Sequence, residues 1–117
     1  MPQYLLFLHE RTTDRSSMSP EDIQAVIREY QAWSQKMGAA GKLVGGQKLT
    51  DDDGRVLAGS GASLSVTDGP LAEAKEVIGG FFQIKADSYD DAVELASDCP
   101  HLKYGGRIAL RQVDQIE

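Results

Sequence analysis

Apolar residues fall along this chain in two rhythms. Tyr4-Leu5-Leu6-Phe7-Leu8 is a short unbroken apolar run, the length of a buried strand, and His9, Glu10 and Arg11 stand at its end. The rhythm then changes. Ile23, Val26, Ile27, Tyr30, Trp33 and Met37 recur at intervals of three and four, which gathers them on one face of a helix. Ser19-Pro20-Glu21-Asp22 supplies its start: a capping hydroxyl, a proline suited to the first turn, and acids at the positive end of the dipole. Its end is expected near Ala40, with Gly41 as left-handed cap. Lys42 to Leu49 reads as a second strand. Its Gly45-Gly46 pair marks a bulge or the close approach of another backbone or a ligand. Thr50 to Gly54 is an acidic turn with Asp53-Gly54 at its tip. It lacks the spaced downstream Glu of a calcium loop. Arg55-Val56-Leu57 and Ala62 to Val66 read as short strand pieces joined by Gly59-Ser60-Gly61.

The second half repeats the rhythm in shorter form. Phe81 to Ala86 is a strand, and Ser88 caps a helix with Asp91 at its third position. Ala92, Val93, Leu95 and Ala96 give that helix a small apolar face, and it stops before Cys99-Pro100. A loop through His101 to Gly106, with His101 expected to be exposed, leads to the last strand, Arg107 to Val113. The order is strand, helix, strand, hairpin piece, strand, helix, strand. It predicts an α+β fold of ferredoxin-like βαββαβ type, an antiparallel sheet with two helices on one face. Alternation assigns Phe82, Ile84, Ile108 and Leu110 to the helix side. Phe81, Gln83, Lys85, Arg107, Ala109 and Arg111 fall on the open side, and a second copy of the chain is the simplest cover for that face.

Length and composition narrow the picture. The chain has 117 residues, which suits one domain with its own core. Its net charge of −6 argues against nucleic acid or an anionic membrane as a partner. There is no membrane-length apolar run and no export signal at the start of the chain, and the single cysteine, Cys99, forbids an internal disulfide. A reducing cytoplasmic setting is the expectation.

Candidate chemistry centres on Thr67-Asp68-Gly69-Pro70-Leu71-Ala72-Glu73-Ala74-Lys75-Glu76. Asp68-Gly69-Pro70 is first of all a turn. Glu73, Lys75 and Glu76 follow too closely to be turn residues alone. Asp68 and Glu73 form a candidate acid/base pair, with Lys75 and Glu76 as binding groups beside them; the same charges also suit salt bridges that fix the loop. His9 shares parity with Leu5 and Phe7 and can reach the same cleft, as can Arg107 and Arg111, whose plainer role is ion pairing. No metal-ligand spacing is present, and the Gly-Gly pairs lack the strand–loop–helix setting of a nucleotide site, so neither metal nor organic cofactor is expected. Cys99 reads as buried packing.

The Asp-Gly-Pro run, Val44-Gly45-Gly46 upstream, Gly79-Gly80-Phe81-Phe82 after it and Cys99-Pro100 together resemble the DGPF subgroup of YCII-related proteins, from Tyr4 to about Val113. The resemblance implies a dimeric α+β barrel, two sheets packed face to face around a cleft, in a small bacterial cytoplasmic protein. Relatives of this kind are often associated with sigma factors. The wider family is suspected of catalysis through a histidine and an aspartate. Two positions depart from the pattern: Leu71 stands where an aromatic residue is usual, and Ala74 where a hydroxyl is common.

Two readings of function follow. In one, a homodimer binds or transforms a small polar or anionic molecule in a cleft lined by His9, Asp68, Glu73, Lys75, Arg107 and Arg111. In the other, the protein is a non-catalytic sensor or interaction module beside a transcription regulator.

Overall fold

A computed structural model describes residues 1–11, 19–69 and 76–115. The elements are β1 (Gln3–Arg11), α1 (Pro20–Ala39), β2 (Leu43–Lys48), β3 (Arg55–Ala58), a 3-10 turn (Gly61–Ser63), β4 (Ser65–Asp68), β5 (Glu76–Lys85), α2 (Tyr89–Ala96), α3 (Pro100–Lys103) and β6 (Arg107–Gln112). Four strands form one sheet in the order β2-β5-β1-β6, each antiparallel to its neighbour. This is the ferredoxin-like α+β arrangement, with β3 and β4 set apart as a two-stranded hairpin between β2 and β5.

The helix starts follow local chemistry. The Ser19 hydroxyl accepts from the Asp22 amide with Pro20 in the first turn, and Gly41 takes positive φ of 71° just past the C-cap, Ala40. At α2 the Ser88 hydroxyl accepts from the Asp91 amide, and the Asp91 carboxylate accepts from Asp87, so the two ends of the turn cap each other.

The core lies between the sheet and the helices. Tyr4, Leu6 and Leu8 of β1 and Ile84 of β5 meet Trp33 and Met37 of α1 and Ala92 and Ala96 of α2, with Phe82, Ile108 and Leu110 at its edge. The alternation read from the sequence therefore holds. Trp33 packs tilted on Phe82 with ring centres 4.9 Å apart and donates its indole N–H to Asp98 at 2.8 Å; Lys36 grips the same carboxylate. β2 and β5 approach closely where Gly46 and Gly80 face the opposite backbone. A methyl group on Gly46 would meet the Phe81 carbonyl at 2.7 Å, and one on Gly80 the Gln47 carbonyl at 2.8 Å. The close approach expected at Gly45-Gly46 is thus made by Gly46, to the neighbouring strand.

Several expectations need correction. The apolar face of α1 is continuous, but Ile23 and Ile27 are exposed, because only the C-terminal half of the helix packs among the described residues. The strand expected at Ala62 to Val66 lies at Ser65–Asp68. Gly59 and Gly61 both take positive φ, and the chain closes the 3-10 turn there instead. β5 starts at Glu76, five residues before the expected Phe81, so Glu76 belongs to the sheet. The loop after Cys99 holds a third, one-turn helix: Pro100 stops one helix and opens the next.

The molecule is flat, 48 × 45 × 19 Å, with a radius of gyration of 16.1 Å. A compact globule of this length has about 13 Å. The sheet face opposite the helices carries Leu5, Phe7 and Phe81, each partly exposed, flanked by Arg111 and Lys85. No helix among the described residues is long and apolar enough to cross a membrane.

Candidate functional site

The open face ends in a cleft of ≈ 270 Å³ lined by His9, Glu76, Arg107, Ile108 and Ala109. Strand register assembles it. His9 and Arg107 form the last rung between β1 and β6, and Arg11 pairs with Glu76 across β1 and β5. The β1–β5 register shifts between Leu8 and His9, where Gly79 is the extra residue on β5. That bulge has a steric reason, since a methyl group on Gly79 would meet the Glu10 carboxyl at 2.8 Å. Beyond it Ile78, opposite His9, and Glu76 lie on the open face with His9 and Arg107.

Glu76 and Arg107 form a two-pronged ion pair. The arginine Nε lies 3.0 and 3.2 Å from the two carboxylate oxygens, and a terminal amine lies 2.5 Å from one of them. The carboxylate is the more covered partner, with 20% of its side chain exposed against 76% for the arginine. Arg107 holds the Glu76 carboxyl below the usual carboxylate range, chiefly through these hydrogen bonds. The charges of His9 and Arg11 act in the same direction, against the opposing effect of burial. Arg107 is in turn pushed up by Glu76. Glu76 is therefore an anion at neutral pH and no proton donor.

The other sequence candidates are distributed elsewhere. Asp68 stands at the base of the β3–β4 hairpin, 87% exposed, 3.3 Å from Arg55, and does not line the cleft. Arg111 shares the open face but pairs with Leu5, two rungs of its own parity along β6 from His9–Arg107. Glu73 and Lys75 lie outside the described residues, as do Leu71 and Ala74. Among the described residues no three His, Cys, Asp or Glu side chains gather in a group that could hold a metal.

His101 is the largest departure from expectation. It is 7% exposed, not on the surface, because α3 turns it inward against β1. Its Nε2 lies 2.7 Å from the His9 carbonyl and its Nδ1 lies 3.0 Å from the Tyr30 hydroxyl. Burial pushes the Tyr30 phenol well up, so that group stays protonated. The neighbouring Cys99 is buried packing as expected, its thiol pushed up by desolvation. The one sequence signal for an inward His101 was Pro100, which is as good a helix start as a stop.

Residues 3–117 match the YCII-related domain. The chain is also 32% identical over 96 residues to an uncharacterized protein of Rhizobium meliloti (strain 1021), covering 81% of this chain and 77% of that protein.

Proposed function

The chain belongs to the YCII-related family, and on that footing we propose that it is a small-molecule binder whose cleft takes the anionic group of its ligand on Arg107. The observation that carries this reading is the Glu76–Arg107 pair. A guanidinium fork offered at a cleft mouth, 76% exposed and two-pronged toward a carboxylate, has the geometry by which arginine recognises carboxylates and phosphates. Glu76 occupies that fork as a ligand's carboxylate would. His9 on the same rung supplies the proton donor or acceptor, so acid–base chemistry on the bound molecule falls to His9, with Glu76 as the anion that balances its charge.

The reading includes a homodimer closed through the open sheet face in the manner of a DGPF-type α+β barrel, within the cytoplasm. Leu5, Phe7 and Phe81 on that face and the flat shape favour it, since a partly exposed apolar sheet is usually covered. Asp68, Glu73, Lys75 and Arg111 remain candidates for the rim of such a closed cleft.

The test is titration of the labelled protein with succinate and with inorganic phosphate, against chloride at matched ionic strength. Succinate or phosphate should move the resonances of His9, Arg107 and Ile108. Arg107→Met should abolish the effect, and Glu76→Gln should strengthen binding several-fold by releasing the fork. Resonances that do not move, or move equally in Arg107→Met, refute the reading. A second reading, a non-catalytic sensor or interaction module beside a sigma-factor-type regulator, is favoured by one observation: Asp68 is engaged by Arg55 and Glu76 by Arg107 within the chain. That reading expects Glu76→Gln to weaken the fold without creating any anion response.

A further inference from the structure

We propose that His101 is a positioning residue: its ring clamps the strand rung that carries His9 and Arg107, and so sets the geometry of the cleft it does not touch. The inference deepens the binding reading above and rests on it only for its functional meaning.

Three observations converge. First, His9–Arg107 is the last rung between β1 and β6. Beyond it the His101 ring takes the His9 carbonyl at 2.7 Å, the job a further strand residue would otherwise do. Second, the tautomer is dictated by the partners. A backbone carbonyl can only accept, so Nε2 carries the hydrogen; in the neutral ring Nδ1 then accepts, and the Tyr30 hydroxyl donates to it at 3.0 Å. Both ring nitrogens are matched in a site 7% exposed, so the ring has a single comfortable orientation. Third, the residue just before Arg107 is Gly106, and the ring lies where its side chain would be. A methyl group there would meet Nε2 at 2.3 Å, Cε1 at 2.5 Å and Cδ2 at 2.6 Å. The Gly106 amide also donates to the His101 carbonyl at 3.0 Å. His101 is thus held against both strands of the rung, through the His9 carbonyl on one and through Gly106 on the other. Tyr30 of α1 anchors it from behind.

This arrangement links the helix layer to the cleft. The His9 side chain projects to the open face while its carbonyl is tied to the helix side. A change in the ring's donor alters the strand end from which both cleft groups hang.

The test uses the full labelled chain and needs no ligand. In the wild type the His101 ring should be the Nε2–H form, with a through-hydrogen-bond coupling to the His9 carbonyl carbon; an Nδ1–H ring or no coupling overturns the proposal. His101→Gln places an amide donor where Nε2 was, and should leave the His9 ring signals and the Arg107 Nε–H signal unchanged. His101→Asn places its amide where Nδ1 was. It should move the His9 ring signals and broaden the Arg107 Nε–H signal. If both variants lose stability alike and neither moves His9 and Arg107, His101 is a core residue only and the proposal fails. Should His101→Asn not fold, His101→Met decides in its place, because it keeps the bulk and removes the donor to the His9 carbonyl: shifted His9 ring and Arg107 Nε–H signals support the clamp, and unmoved ones overturn it. Because succinate and phosphate play no part, failure of the binding reading and failure of the clamp are seen separately.

Discussion

Gly106→Ala is a substitution for which backbone and packing give opposite signs. Gly106 does not take positive φ, so the backbone makes no demand for glycine. At such a position alanine ordinarily stabilises by about 0.4–1 kcal/mol, by narrowing the unfolded ensemble. The neighbour reverses the expectation. The new methyl group would fall 2.3 Å from Nε2 of His101, well inside contact distance. The ring has little room to yield, being buried and bonded at both nitrogens. Its displacement leaves the His9 carbonyl and the Tyr30 hydroxyl without their partners. Each such group costs about 1–3 kcal/mol when it stays buried. Allowing for partial rehydration and the entropic gain, the net loss is about 2–4 kcal/mol. Urea unfolding followed by Trp33 fluorescence and far-ultraviolet circular dichroism measures it directly. The matched control is Gly38→Ala in α1, where nothing lies within 4 Å of the new methyl group. That change should stabilise by about 0.5–1 kcal/mol. If Gly106→Ala proves as stable as the wild type while the His101 ring signal is retained, the steric argument is wrong.

Other outcomes follow from the same contacts. The Asp98 carboxyl is held below its ordinary range, first by Lys36 and also by the Trp33 indole, against the effect of burial. Its contribution is therefore present above the unfolded carboxylate pKa and fades as pH falls through the lower folded value. Lys36→Met should flatten that acid-side decline in urea midpoint, by under about 1 kcal/mol because the pair is half exposed. Cys99, 2% exposed with its thiol pushed up, should react with a thiol reagent only as fast as the protein opens, so labelling should accelerate with added urea. The proposed homodimer predicts that Phe81→Asp, which puts a charge on the open sheet face, halves the mass seen by light scattering; a wild type already monomeric refutes it.

The order of the main strands and the two longer helices, the caps that start those helices and the two faces of the sheet were legible from the sequence, because each depends on local chemistry. Ser19 and Ser88 cap whatever helix follows them, and alternation along β1, β5 and β6 needs only the period of a strand. His9 and Arg107 were also singled out by parity, and they do meet in one cleft with Glu76. Which charged residues meet was beyond local reading. Asp68 and Glu76 stand eight positions apart in the chain, yet one pairs with Arg55 on a separate hairpin and the other with Arg107 on the main sheet. That division depends on where β5 begins and on the register shift at Gly79, both set by contacts with strands distant in sequence. His101 was misplaced for the same reason. Its inward turn depends on a carbonyl 92 residues away, a hydroxyl 71 residues away and the missing side chain of Gly106, and only tertiary structure brings the three together.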